Sequence, residues 1–205
     1  MRVNQCVRCS AFPCIDVRHD AYIVPDIEVQ PDQVSLVLIS ESAPKDMDDF
    51  YYAEGKPLFQ KNTLEAFNAA GIQVDTFQEL LEMGIYFTTA VKCGKTGYGI
   101  KAATIKECSL ILERELDLFP EVEAFLLMGD VAIKAVNYIA KRTGDGRAIP
   151  AGSTYKIRAG EFYFRGARTF PSYLQVGPSF GIEKSKQKMI AEDIAAAMKT
   201  SNLSH

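Results

Sequence analysis

Tryptophan is absent from this 205-residue chain, and histidine occurs twice. No apolar run approaches the roughly 18 residues a membrane span requires, and the first residues, MRVNQCVRCSAFPC, lack the apolar core of a secretory signal. Both absences point to a cytoplasmic setting, where thiols stay reduced and disulfides are disfavoured. Positive charge is not in excess: 23 Lys and Arg face 26 Asp and Glu, a net charge of −3. A global field for polyanions is therefore excluded, and any contact with nucleic acid has to come from a local patch. Internal repeats and low-complexity tracts are missing as well. The segment TGDGRAIPAGST is glycine-rich but lacks the Gly-x4-Gly-Lys-Ser/Thr spacing of a nucleotide phosphate loop.

What is present is a chain of 47% hydrophobic residues, enough to bury the core of one domain without disulfide help. Its five cysteines then need another account. Cys6, Cys9 and Cys14 crowd into nine residues of an irregular N-terminal arm (1–33), more than packing alone favours. Cys93 ends the apolar run IYFTTAVKC; it is either a small hydrophobe at a strand end or a ligand at the rim of a sheet. Cys108 lies on an apolar helix stripe with Ile105, Leu112, Leu116 and Phe119, which also suits plain packing.

Continuous apolar runs mark buried strands at VSLVLIS (34–40), IYFTTAV and EAFLLMG (123–129), with a last one in RTFPSYLQV shortened by Pro171. Helices are expected from Asn62 to Gly71, from Asp75 to Gly84, from a Thr104–Glu107 capping box, over 131–142, and at the end of the chain. YKIR and EFYF read as an antiparallel hairpin. Strands alternating with helices predict a single α/β domain: a three-layer α/β/α sandwich around a mostly parallel four-stranded sheet. Ligands of such sheets gather at the carboxyl ends of the strands, here SESAP, KCGKTGYG, GDVA and VGPSF.

Read together, those four tails resemble the uracil-DNA glycosylase superfamily, and most of all its iron–sulfur branch (family 4). Ser40-Glu41-Ser42-Ala43-Pro44 stands where the branch has Gly-Glu-Ala-Pro-Gly, and Thr88-Thr89-Ala90-Val91-Lys92-Cys93 where it has Thr-Asn-Val-Val-Lys-Cys. Glu107-Cys108 opens the next helix, Met128-Gly129-Asp130-Val131-Ala132 follows, and Gly177-Pro178-Ser179 stands at His-Pro-Ser. The similarity spans about residues 34–195 plus the N-terminal cysteine pair, and rests on the order of the motifs. It implies a [4Fe-4S] cluster on Cys6, Cys9, Cys93 and Cys108, with Cys14 a surplus thiol able to displace one of the four. Four thiolates suit zinc as well.

The resemblance further implies hydrolysis of the N-glycosidic bond of a damaged or deaminated base in DNA. Glu41 would then manage the attacking water and the charge on the sugar, with Ser179 a possible compensating donor and Ser42 on the substrate. Phe59, in GKPLFQ, would stack the base; an inserted residue leaves Leu58, Tyr51 or Tyr52 as alternatives for that place. The bland readings are that Glu41 caps a helix or pairs with a lysine and that the aromatics anchor their loop. Two departures matter more. Thr89 replaces the asparagine that reads the base edge, and Gly177 replaces the histidine, each removing a hydrogen-bond donor. DNA contact would fall to Phe180 as a wedge, to Lys184, Lys186 and Lys188, and to a second set, Lys92, Lys95 and Lys101. The lysines read equally as a solvated face. A catalytically silent module that carries a cluster and binds a nucleobase or nucleic acid is the alternative to an enzyme.

Overall fold

The computed structural model of the protein describes residues 1–97, 99–177, 180–201 and 203. Ser179, expected near the reacting centre, lies outside them. The chain opens with a one-turn helix, α1 (Val3–Cys6), and a two-residue strand, β1 (Val17–Arg18), and then enters β2 (Leu36–Ala43). Helices α2 (Leu58–Ala69) and α3 (Phe77–Glu82) lead to β3 (Ile85–Lys95), α4 (Ala102–Leu116) and β4 (Ala124–Met128). Next come α5 (Asp130–Thr143), a single turn α6 (Thr154–Ile157), the hairpin β5 (Tyr163–Phe164) and β6 (Ala167–Ser172), and finally α7 (Lys184–Thr200). Among the described residues no helix is long and apolar enough to cross a membrane.

The sheet is six-stranded and mixed, in the order β1-β3-β2-β4-β6-β5. Its inner four strands run parallel, and each outer strand is a two-residue antiparallel addition. The expected four-stranded sheet is therefore the parallel centre of a wider one: the arm extends one edge and the hairpin the other. Strands buried on both faces need unbroken apolar sequence, and β2, β3 and β4 have it. One core packs Val37, Ile39 and Phe125 against Leu112 of α4 and Val136 of α5. The opposite core packs Leu36, Leu38 and Phe87 against Phe67 of α2, Leu80 of α3 and Ile194 of α7. Pro171 sits in β6 beyond the end of β5, where the strand has an open side that tolerates a missing N–H.

Local details differ from the sequence expectations for identifiable reasons. Helix α2 starts at Leu58, four residues ahead of Asn62, because Pro57 fixes a φ of −57° that suits a helix start. Helix α4 starts at Ala102, ahead of the Thr104 box. The carboxylate of Asp16 in the arm accepts from the Lys101 N–H at 2.6 Å and from the Thr104 hydroxyl, so the cap is supplied from outside the helix. Tyr155, Lys156 and Ile157 form a helical turn in place of a strand. The hairpin instead turns at Arg165 and Gly166, both at positive φ as a two-residue turn demands.

The connection from β2 runs to β3 on one side, and that from β4 runs to β6 on the other. The carboxyl ends of the adjacent strands β2 and β4 thus form the switch point at which such sheets open a crevice.

Candidate functional site

Glu41, near the end of β2, occupies that switch point. Gly129, between β4 and α5, adopts φ 99° and ψ 167°, a region essentially closed to other residues. A Cβ on it would stand 2.7 Å from Glu41 Oε1, so the glycine lets the carboxylate pack against the start of α5. The positive end of the α5 dipole favours a negative group there. Lys95 Nζ donates to Glu41 Oε2 at 2.8 Å, with both side chains partly exposed. The pairing with a lysine expected as the bland reading is present, and it lies inside a cleft.

That cleft has a volume of about 900 Å³. Its lining includes Glu41, Ser42, Phe59 and Gly177, four of the residues singled out in the sequence, and Leu58, one alternative for the stacking position. Phe59 comes from α2 and is fixed edge-on by Tyr51, with ring centroids 5.1 Å apart. Tyr51 is fully buried beneath it; Tyr52 donates its hydroxyl to the Phe87 carbonyl at 2.8 Å. Both tyrosines therefore anchor the loop. Gly177 is held at the rim by its carbonyl, which accepts from Asn62 Nδ2 at 3.4 Å and from the Phe180 N–H at 3.0 Å.

Other expected residues lie elsewhere. Thr89 is buried, absent from the cleft lining, and its hydroxyl donates to the Val91 carbonyl at 3.0 Å. Phe180 is buried in the core against α7, so it does not project as a wedge. Lys184 and Lys188 are exposed; Lys186 pairs with Glu183 at 2.7 Å and lies over the Tyr173 ring at 5.6 Å. Of the second lysine set, Lys101 is exposed, Lys95 is in the cleft, and Lys92 is fully buried, so it faces no phosphate.

The sequence reading missed Arg18, Lys45, Asp46 and Asp49, which complete the polar lining of the cleft. Arg18 reaches it because β1 pairs Val17 with Lys95 and Arg18 with Gly94. A Cβ on Gly94 would come within 2.8 Å of Ala21 and 2.9 Å of the Pro44 carbonyl, so a glycine is needed for the arm to close on the strand. Nothing in the local sequence of the arm signals that pairing.

Another pocket, with a volume of about 180 Å³, is lined by the arm, the end of β3 and α4. Cys9, Cys14, Cys93 and Cys108 all line it, together with His19 and Tyr22. Lys92 and Cys93 form a bulge on β3, with no counterparts on β2 between the Ser42–Val91 and Ala43–Gly94 pairs. Such an insertion re-aims side chains: Lys92 enters the core and Cys93 meets the arm. The Lys92 N–H donates to Cys108 Sγ at 3.3 Å, and the Phe12 N–H donates to Cys9 Sγ at 3.4 Å. Burial, reinforced by the neighbouring sulfurs, pushes the Cys93 thiol up to about 12. Burial likewise pushes Cys108 up to about 11 against the pull of Lys92. Cys6 is exposed, with its thiol 3.5 Å from the Arg2 carbonyl, and takes no part in the pocket. No three His, Cys, Asp or Glu side chains among the described residues are gathered as one metal ion would need them.

Compared with models of known protein families the chain matches none, and no curated protein matches it.

Proposed function

We propose that the protein is an N-glycosyl hydrolase acting on a base in DNA, related to the iron–sulfur branch of the uracil-DNA glycosylases but with an altered base pocket. The observation that carries this reading is the convergence of Glu41 with its neighbour Ser42, Phe59 and Gly177, from three separate stretches of the sequence, on one cleft beside the switch point of the sheet's parallel centre. A base taken out of the stack needs an enclosed, partly aromatic pocket, and this cleft has the room and the ring. In the hydrolytic step a water oxygen bonds to the sugar carbon while the carbon–nitrogen bond breaks and its electron pair leaves with the base. Glu41 takes the water's proton and offsets positive charge on the sugar. The Lys95 ammonium, held beside it, faces the charge on the departing base, which is then protonated by solvent.

A thiolate-held centre belongs to the same reading: an iron–sulfur cluster, with zinc the alternative, bound where the cysteines of the arm meet those of β3 and α4. The donor chemistry fits, since soft sulfur ligands suit both groups. A tetrahedral zinc holds its sulfurs at about 2.3 Å from a single point, whereas a cluster fills a wider space between them. When bound, such a group supplies a compact electron-rich core that fastens its ligands together. The remaining steps belong to the side chains of the cleft.

The test is base release by protein reconstituted anaerobically with iron and sulfide, on single- and double-stranded oligonucleotides carrying uracil, hypoxanthine or xanthine. Alkali-labile sites at the modified base are expected, and their absence on every substrate overturns the enzyme reading. Two observations favour binding without cleavage as the second reading. Thr89 spends its hydroxyl on its own backbone, and His19, the one described histidine, lines the thiol pocket instead of the cleft. Salt-sensitive retention of these oligonucleotides in a gel, with no product, would select it.

A further inference from the structure

We infer that the thiolate centre is held by Cys9, Cys14, Cys93 and Cys108, and that Cys6 is a free surface thiol. The inference rests on the reading of a metal centre given above and departs from the ligand set that the family resemblance implied. Four cysteines line one small pocket, and Cys6 is outside it. Two of the four, Cys93 and Cys108, are buried on rigid elements, a strand bulge and a helix. The other two, half-buried, come from the arm and pack against the same core.

The chain between Cys9 and Cys14 is shaped to present both sulfurs. Phe12 adopts a positive φ of 44°, turning the segment back on itself. Its N–H then points to Cys9 Sγ, while its ring packs against His19 and Tyr22 at centroid separations of 5.2 and 5.0 Å. A non-glycine residue in that region is strained unless its surroundings hold it there. The Cys9 N–H is itself pinned to the Tyr22 hydroxyl at 2.7 Å. Backbone donors to Cys9 and Cys108 are the kind of contact that stabilises thiolate once the metal has displaced the protons. Cys6 has none of this: it ends the α1 turn, and its thiol donates back to the Arg2 carbonyl at 3.5 Å. The spacing of the metal pair in the arm is thus Cys-x4-Cys, and the earlier cysteine of CVRC is surplus.

The experiment uses the full chain, as wild type and as Cys6→Ala, Cys14→Ala and Cys14→Ser, each reconstituted anaerobically and read by iron and sulfide per chain and by the visible sulfur-to-iron charge-transfer band. The Cys6 variant should keep the wild-type metal content and band, while both Cys14 variants lose the band. Far-UV circular dichroism reports whether the variants fold. Differential alkylation with mass spectrometry gives an independent readout on the wild type itself: Cys6 is labelled in the loaded protein, and Cys14 is protected until the metal is chelated. Loss of the band in Cys6→Ala, its retention in the Cys14 variants, or labelling of Cys14 in loaded wild type overturns the assignment and leaves the centre standing. A wild type that takes up neither iron nor zinc overturns the centre, and the assignment with it.

Discussion

Lys92 and Glu115 form an ion pair with both side chains fully buried. The ammonium also donates to the Thr88 hydroxyl at 2.7 Å and to the Thr89 carbonyl at 2.6 Å. Glu115 Oε1 accepts from the Tyr86 hydroxyl at 2.6 Å and from the Thr88 hydroxyl at 2.7 Å, leaving Oε2 to the ammonium. The network ties the β3 bulge to α4, the two elements that carry Cys93 and Cys108. It is a closed circuit of polar groups inside an apolar layer, which is tolerable only while every member is satisfied.

Removing one partner should therefore cost far more than removing both. Lys92→Met alone strands a buried carboxylate, at about 3–5 kcal/mol. Pairing it with Glu115→Leu should recover much of that loss. Urea denaturation of the wild type, both single variants and the double variant gives the coupling, and additive losses would show that the pair is not an energetic unit.

Gly129→Ala should destabilise the fold by about 1–3 kcal/mol, because its backbone region is essentially glycine's alone. It should also displace Glu41, whose carboxylate stands where the new methyl would go. A stable variant whose structure shows Glu41 unmoved would contradict the packing argument.

Glu41→Gln keeps the shape of the side chain and removes its charge. If the cleft hydrolyses a glycosidic bond, base release in single-turnover assays should fall by about 10²–10⁴-fold with substrate retention little changed. Lys95→Ala should lower release as well, since it removes the cation that partners Glu41. Release unaffected by Glu41→Gln would move the chemistry elsewhere in the cleft.

Stability should carry a pH signature from Asp193. Burial raises its carboxyl above the ordinary value, aided by Glu192, while the Ser172 hydroxyl and the Arg158 guanidinium pull it down. An acid whose folded value is raised takes up a proton on folding. Its contribution is therefore fullest below the unfolded value near 3.8 and declines as pH rises through the raised one. Asp193→Asn mimics the protonated form at every pH. The wild type should therefore lose stability relative to the variant as pH climbs from about 4 toward neutrality, which urea midpoints across that range will report. A wild type that instead gains on the variant over that range would mean that the ionised pair with Arg158 outweighs the burial.

The inner strands were legible because parallel strands buried on both faces leave an uninterrupted apolar record. Glu41 and Ser42 were legible for a related reason, since polar residues directly after such a record mark the carboxyl end of a strand. Lys92 was not, because a lysine reads as surface until its partner is known. The available signal was Glu115, which shares the inward side of α4 with Leu112 and Leu116 and so calls for a buried counter-charge. The edge strand β1 and the way the arm cysteines meet the sheet were not legible either. Both depend on how residues 1–33 lie against β3, and no period in those residues encodes it.

The arm joins the two pockets by a short tether. Cys14 and Arg18 are four residues apart, at most about 14 Å of fully extended chain, and Arg18 is clasped to β3 by only two residue pairs. Such a strap has little slack, and its middle is fixed as well, since the Asp16 carboxylate is held by the start of α4. The wall of the larger cleft and the thiol pocket are thus built on one short piece of backbone, clamped by β3 at one end and by α4 at its middle.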